Sequence, residues 1–141
     1  MSPPTHIAAG VCLTLACYKL NPTLPIFDIL PGVLATTNWP DVDQKFKCLR
    51  HRGQTHSLLW PIVFIFLAWY TGHYVFVGAT IGHISHLVLD LCNGKGIEAI
   101  WPLSDKNYRI AKLKYEGVME YMLLGGMLAG SVGLIVTMFI K

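Results

Sequence analysis

The sequence predicts an all-α membrane protein, an integral bundle of four to five helices with a metal site at its cytoplasmic face. Three observations lead there. Of its residues 53% are hydrophobic and 13% charged, where soluble domains run near about 25% charged, and the mean hydropathy is +0.48. Apolar runs recur at lengths that suit helical spans. Within one of them His86 and Asp90 lie four apart, on one helical face. Ionisable residues at membrane depth are costly, so they face a polar interior. At 141 residues the chain is one compact unit, read as a single domain over 1–141.

The first run covers residues 7–20; Pro3 and Pro4 suit a helix start and Thr5 is its expected cap. The second, 24–39, is interrupted by Pro25, Asp28 and Pro31, and reads as a bent span or a re-entrant segment. The third, 58–70, ends at Thr71, Gly72 and His73, a tight turn, and Thr55 is expected to cap its start at His56 or Ser57. The fourth, 74–92, carries His83, His86 and Asp90. After a polar stretch over 93–115 comes 118–140, which reaches about 35 Å as a helix and so spans a bilayer with some tilt.

Nine of the eleven basic residues fall in two loops. Lys45, Lys47, Arg50 and Arg52 occupy one; Lys95, Lys106, Arg109, Lys112 and Lys114 occupy the other. If the third and fourth runs form a hairpin closed at Gly72, both loops share a side, which the positive-inside rule makes cytoplasmic. The net charge of +3 is too small to point to nucleic acid, and none is expected as a partner. Cys12, Cys17, Cys48 and Cys92 lack CxxC spacing and read as small core residues, neither a disulfide frame nor a zinc knuckle. No basic residue precedes residues 13–17, so neither a signal peptide nor lipidation is expected there.

This topology gathers His6, Asp41, Asp43, His51, His56, His86, Asp90, Glu116 and Glu120 at one membrane face, with His73 at the opposite turn. Each has a bland reading when taken alone. His86 and Asp90 form a polar pair joining helices, His83 an interfacial imidazole beside the site, and Asp41 and Asp43 a capping turn. Arg50 and Arg52 face anionic lipid, and Glu116 complements a helix dipole while Glu120 sits deeper on the same face. Taken together, His6, Asp41, Asp43, His56, His86 and Asp90 offer three imidazoles and three carboxylates without a thiolate. That donor set suits a divalent metal, Zn²⁺ first and Mn²⁺ second, as one or two ions. Such a centre lowers the pKa of a bound water towards neutrality, so hydroxide can attack a phosphoryl or acyl group. Asp41 or Asp43 would orient the water or take its proton, and Arg50 or Arg52 would hold a phosphate. A site at headgroup depth points to a lipid ester or phosphoester as substrate. Two rivals come from other classes. A metal transporter or sensor would carry polar residues across the whole membrane, and a structural or holin-like protein would use its polar pairs only to join helices.

Four stretches also match a known pattern: Thr5–His6; Pro40–Asp41–Val42–Asp43; the run His-Arg-Gly-Gln-Thr-His-Ser-Leu over 51–58; and Gly-His-Ile-Ser-His-Leu-Val-Leu-Asp over 82–90. Together they resemble the YdjM-like family of bacterial inner-membrane proteins, described as metal-dependent hydrolases, and residues 96–102 are similar to the segment that follows in that family. The likeness runs from about Thr5 to Pro102, with a more distant similarity to the zinc-dependent phospholipase C superfamily. It implies that His6, Asp41, Asp43, His56, His86 and Asp90 are the metal site of an inner (cytoplasmic) membrane protein. It also implies that His51 and Arg52 stand beside the two aspartates in the catalytic group. One departure matters: family members often have a histidine directly after the second aspartate, where this chain has Gln44. A ligand there is missing, which counts against a full two-metal complement.

Overall fold

The structure, a computed structural model, describes residues 1–46, 50, 52–114 and 117–140, with only the backbone at Lys45. The five apolar runs become five helices: α1 (Pro3–Leu20), α2 (Ile26–Thr36), α3 (Leu59–Thr71), α4 (Tyr74–Leu91) and α5 (Val118–Phe139). Two short 3₁₀ turns, Pro40–Lys45 and Gln54–His56, lie between α2 and α3. Among the described residues β-structure is limited to two isolated bridges, Asn93 with Leu113 and Ile97 with Tyr108.

Most helix ends follow from local chemistry, with three corrections. Helix α1 starts at Pro3 rather than Ile7, because both prolines fit a first turn whose N–H groups have no intrahelical partner. Thr5 therefore lies inside the helix, and Ser2 holds the cap position. Thr55 does not cap α3; its hydroxyl turns to Asp43, and Ser57 Oγ accepts the N–H of Leu59 at 3.3 Å instead. Helix α2 has 11 residues, confined between Pro25 and the bend after Thr36, with Pro31 inside it. At about 16 Å it is shorter than the roughly 30 Å hydrocarbon core of a bilayer. Gly72, at φ 72°, ends α3 in the left-handed conformation and closes the hairpin to α4.

Helix α4 is the central one, touching α1, α2 and α3. Its closest partner is α2, where the two backbones meet: a Cβ on Gly78 would lie 1.9 Å from the Ile29 carbonyl oxygen. The Thr36 hydroxyl, 2.9 Å from the Ala79 carbonyl, bonds across this contact. Helix α5 packs on α1 in parallel. At one end the Glu120 carboxylate accepts the Ser2 N–H and the Thr5 hydroxyl, and at the other Lys19 Nζ donates to the Thr137 carbonyl at 3.1 Å.

Polar side chains share the interior with apolar ones such as Ile29, Val33 and Leu87, while many large apolar side chains lie on the outside. The interior holds Thr5, His6, Thr14, Thr36, His56, His83, His86, Asp90 and Glu120, all buried. The exterior shows Ile62, Ile65, Phe66 and Trp69 of α3 and Met119, Met122, Val132 and Phe139 of α5. An apolar surface of this extent suits lipid and not water. By length and composition, α4 and α5 are each able to cross a membrane.

Candidate metal centre

Asp41, His56, His86 and Asp90 each present one donor atom, and these atoms lie within 4.8 Å of one another. They come from three elements. His86 and Asp90 sit four apart near the end of α4 and are both fully buried. Asp41 rides the first 3₁₀ turn and His56 ends the second. His56 Nε2 is 3.2 Å from His86 Nε2, 3.4 Å from Asp90 Oδ2 and 3.6 Å from Asp41 Oδ1. His86 Nε2 is 3.6 Å from Asp90 Oδ2 and 4.0 Å from Asp41 Oδ1. Nitrogen and oxygen donors sharing one Zn²⁺ at about 2.0–2.1 Å stand about 3.3 Å apart around a tetrahedron, so most of these separations suit a common ion.

The other ring nitrogens explain why both Nε2 atoms are available. His86 Nδ1 lies 2.6 Å from the Thr37 carbonyl oxygen, which can only accept, so Nδ1 carries the proton and Nε2 a lone pair. His56 Nδ1 lies 3.3 Å from Asp43 Oδ2 and donates to it. Two Nε2 lone pairs then face each other at 3.2 Å, an arrangement that requires a proton or a cation between them. This carboxylate–histidine and carbonyl–histidine buttressing is how metal-ligating imidazoles are held.

Asp41 and Asp43, both expected as ligands, do different jobs. Their segment is a 3₁₀ turn of three residues per turn, so side chains two apart diverge by about a third of a turn. They grip His56 from opposite edges: Asp41 at Nε2, with the donors, and Asp43 at Nδ1, behind it. Asp43 is itself fixed by the Thr55 hydroxyl at 2.8 Å and the Arg52 N–H at 3.0 Å. Arg52 makes that bond from a left-handed backbone, φ 65°, a conformation costly for a residue with a Cβ.

Electrostatics follow from this crowding. Burial pushes the Asp41 carboxyl up, but the imidazoles beside it, first through the hydrogen bond with His56, more than offset this, leaving it below the ordinary carboxylate range. Burial likewise pushes His56 down. Its hydrogen bonds to Asp41, Asp43 and Asp90 outweigh that and raise it to about 10.

The remaining expected residues lie around this group. His6 stacks on His86 with ring centroids 3.8 Å apart, and its Nε2 is 3.7 Å from Asp90 Oδ1; neither of its ring nitrogens has a hydrogen-bond partner among the described residues. His83 is buried beside Trp39 and Phe64. Arg52, expected to hold a phosphate, turns inward with Nη2 3.5 Å from Asp90 and Nη1 3.2 Å from the Gly96 carbonyl. Arg50 is exposed and pairs with Glu98 at 3.0 Å and Asp105 at 3.7 Å. Glu120 ties α5 to the start of α1. His51 and Glu116 lie outside the described residues. Two contributors had no sequence signal, the Thr37 carbonyl and the Met1 amino group, 3.0 Å from Asp90 Oδ1, and Thr55, expected as a cap, instead holds Asp43.

Fold and site together define an all-helical protein with two apolar helices able to cross a membrane and a buried His–Asp group able to hold a metal ion. The chain belongs to the YdjM inner membrane protein family, whose model matches residues 1–139. It is 26% identical over 149 aligned positions to the uncharacterized protein YvsG of Bacillus subtilis (strain 168), covering 93% of this chain and 92% of that one. It is 30% identical over 111 positions to the inner membrane protein YdjM of Escherichia coli (strain K12), and equally to that of Shigella flexneri. Those alignments cover 60% of this chain and 56% of each YdjM protein. No solved structure matches the chain.

Proposed function

We propose that this protein is a membrane-embedded, metal-dependent hydrolase acting on a lipid ester or phosphoester, its site at the cytoplasmic headgroup level of a bundle that all five helices form in the inner membrane. The observation that carries the reading is the pair of Nε2 atoms 3.2 Å apart, each with its other nitrogen committed, flanked by Asp41 and Asp90. His56, His86, Asp41 and Asp90 would hold one divalent ion, Zn²⁺ before Mn²⁺ for a mixed nitrogen and oxygen set. When bound, such an ion acidifies water and stabilises negative charge on a departing oxygen. Asp41 is the most open of the four, with 21% of its side chain exposed, and is suited to take the proton of an attacking water at its second oxygen. Asp43 and the Thr37 carbonyl keep the two imidazoles in the required tautomer. Arg50, exposed beside the site, would exchange its surface carboxylates for a headgroup phosphate, while Arg52 offsets the buried charge of Asp90.

Ion transport is less well supported. On α4 between Val75 and Gly82 the one hydroxyl is that of Thr80, and it bonds to the Phe76 carbonyl at 2.9 Å. The test is hydrolysis by the purified full chain in phospholipid vesicles supplied with Zn²⁺ or Mn²⁺. Release of fatty acid or of a phosphorylated headgroup is expected, abolished by a chelator and reduced at least about 100-fold in His56→Ala, in line with the loss of a catalytic metal ligand. A metal-loaded protein that hydrolyses no lipid in a panel of headgroups would remove the hydrolase reading and leave the metal site standing.

A further inference from the structure

The segment between α4 and α5 has a chemistry that the metal centre does not use. Within it, residues 95–114 carry Lys95, Lys106, Arg109, Lys112 and Lys114, all exposed, against two carboxylates, Glu98 and Asp105, with Glu116 beyond them in sequence. Both carboxylates turn to Arg50, at 3.0 Å and 3.7 Å, so the five cations form no ion pair among the described residues. Lys106 rests over the Tyr108 ring at 5.7 Å and Arg109 donates to the Gly94 carbonyl at 3.4 Å, contacts that neutralise neither charge. Beside them stand two bare apolar side chains, Leu103 at 88% and Ile110 at 76% exposure.

This surface is held in place. Ile97 is fully buried against Leu87 and Ala99, and its N–H donates to the Tyr108 carbonyl at 2.9 Å while the Tyr108 N–H returns the bond at 2.8 Å. The Glu98 N–H donates to the Arg52 carbonyl at 2.9 Å, which fastens the segment to the loop carrying the metal centre. It connects α4 to α5, the two helices long and apolar enough to cross a bilayer, so a bundle in which both cross would hold it at the interface. Cations without an ion pair among the described residues, interleaved with exposed aliphatic side chains, match one partner, the anionic headgroups of a phospholipid leaflet with their acyl edges below.

We infer that residues 95–114 form a binding surface for anionic phospholipid, selecting a phosphatidylglycerol-type headgroup over a zwitterionic one and concentrating it at the rim of the metal centre. This selection does not depend on hydrolysis, and its test separates the two. The full chain is reconstituted in vesicles with chelator present, and the association of spin-labelled phosphatidylglycerol is measured relative to spin-labelled phosphatidylcholine. Each engaged cation is worth about fivefold at low ionic strength, so a preference of at least about tenfold is expected. It should fall several-fold in molar salt, where the screening length is about 3 Å. In Lys106→Gln/Arg109→Gln/Lys112→Gln the preference should drop several-fold, with association of phosphatidylcholine unchanged. A wild-type preference near one, a preference insensitive to salt, or one retained in the triple variant would each overturn the inference. Should the triple variant fail to fold, the salt dependence of the wild type decides.

Discussion

His56 is the hinge of the centre, gripped by carboxylates on both edges of its ring. Asp43 donates nothing to a metal ion in this arrangement, yet it sets which His56 nitrogen is free. Asp43→Asn keeps the four donors and disturbs that choice, so metal affinity should fall about 10–100-fold, as removal of such buttressing partners does. Titration calorimetry checks this, and an unchanged affinity would mean that the tautomer is held by other means. A pH dependence follows from the same ring. In the metal-free protein His56 keeps its proton up to about pH 10, so at neutral pH a cation must displace it. Affinity therefore rises with pH, by about tenfold per unit below that value for one displaced proton, while Asp41 is already ionised and adds no proton of its own. Binding constants at pH 6, 7 and 8 should increase in that order, and a flat series would contradict the assignment.

Elements differ in how far the sequence reveals them. The apolar runs and Gly72 announced α3, α4 and α5 nearly to the residue, because hydrophobic length and a left-handed stop are local properties. The 3₁₀ turn at Pro40–Lys45 was not legible, since nothing in Asp-Val-Asp separates an extended strand from a turn until His56 arrives from elsewhere to be gripped. The Thr37 carbonyl was invisible for a simpler reason: backbone oxygens are the same in every residue. The ligand types were readable from position and chemistry, whereas the split between donors and their supports was set by tertiary geometry. At this scale the α2–α4 contact makes its own prediction. Gly78→Ala places a methyl 1.9 Å from the Ile29 carbonyl oxygen, a backbone atom that cannot step aside, so a loss of about 1–3 kcal/mol is expected. Gly125→Ala meets open space on α5 and should be neutral or gain up to about 1 kcal/mol. Thermal unfolding in detergent compares the two, and equal effects would dispute the close approach of α2 and α4.

The molecule turns large apolar side chains outward and, among the described residues, collects its buried acidic and imidazole groups towards one end. His6 at the start of α1, Asp90 at the end of α4 and Glu120 at the start of α5 share that end, while Gly72 and His73 mark the other. Cysteines placed at Gln44 and Lys106 should therefore be labelled by an impermeant reagent from the cytoplasmic side, and one at His73 from the opposite side. Labelling of Gln44→Cys and Lys106→Cys from different sides would break the clustering. The central claim is that side chains from distant parts of the chain meet around one cation. Elemental analysis of the purified full chain after zinc loading and desalting tests it most directly, with wild type beside Asp41→Asn and His86→Ala. About one ion per chain is expected in the wild type, as for a single group of four donors, and well under half of that in each variant. Equal zinc in all three proteins would contradict it.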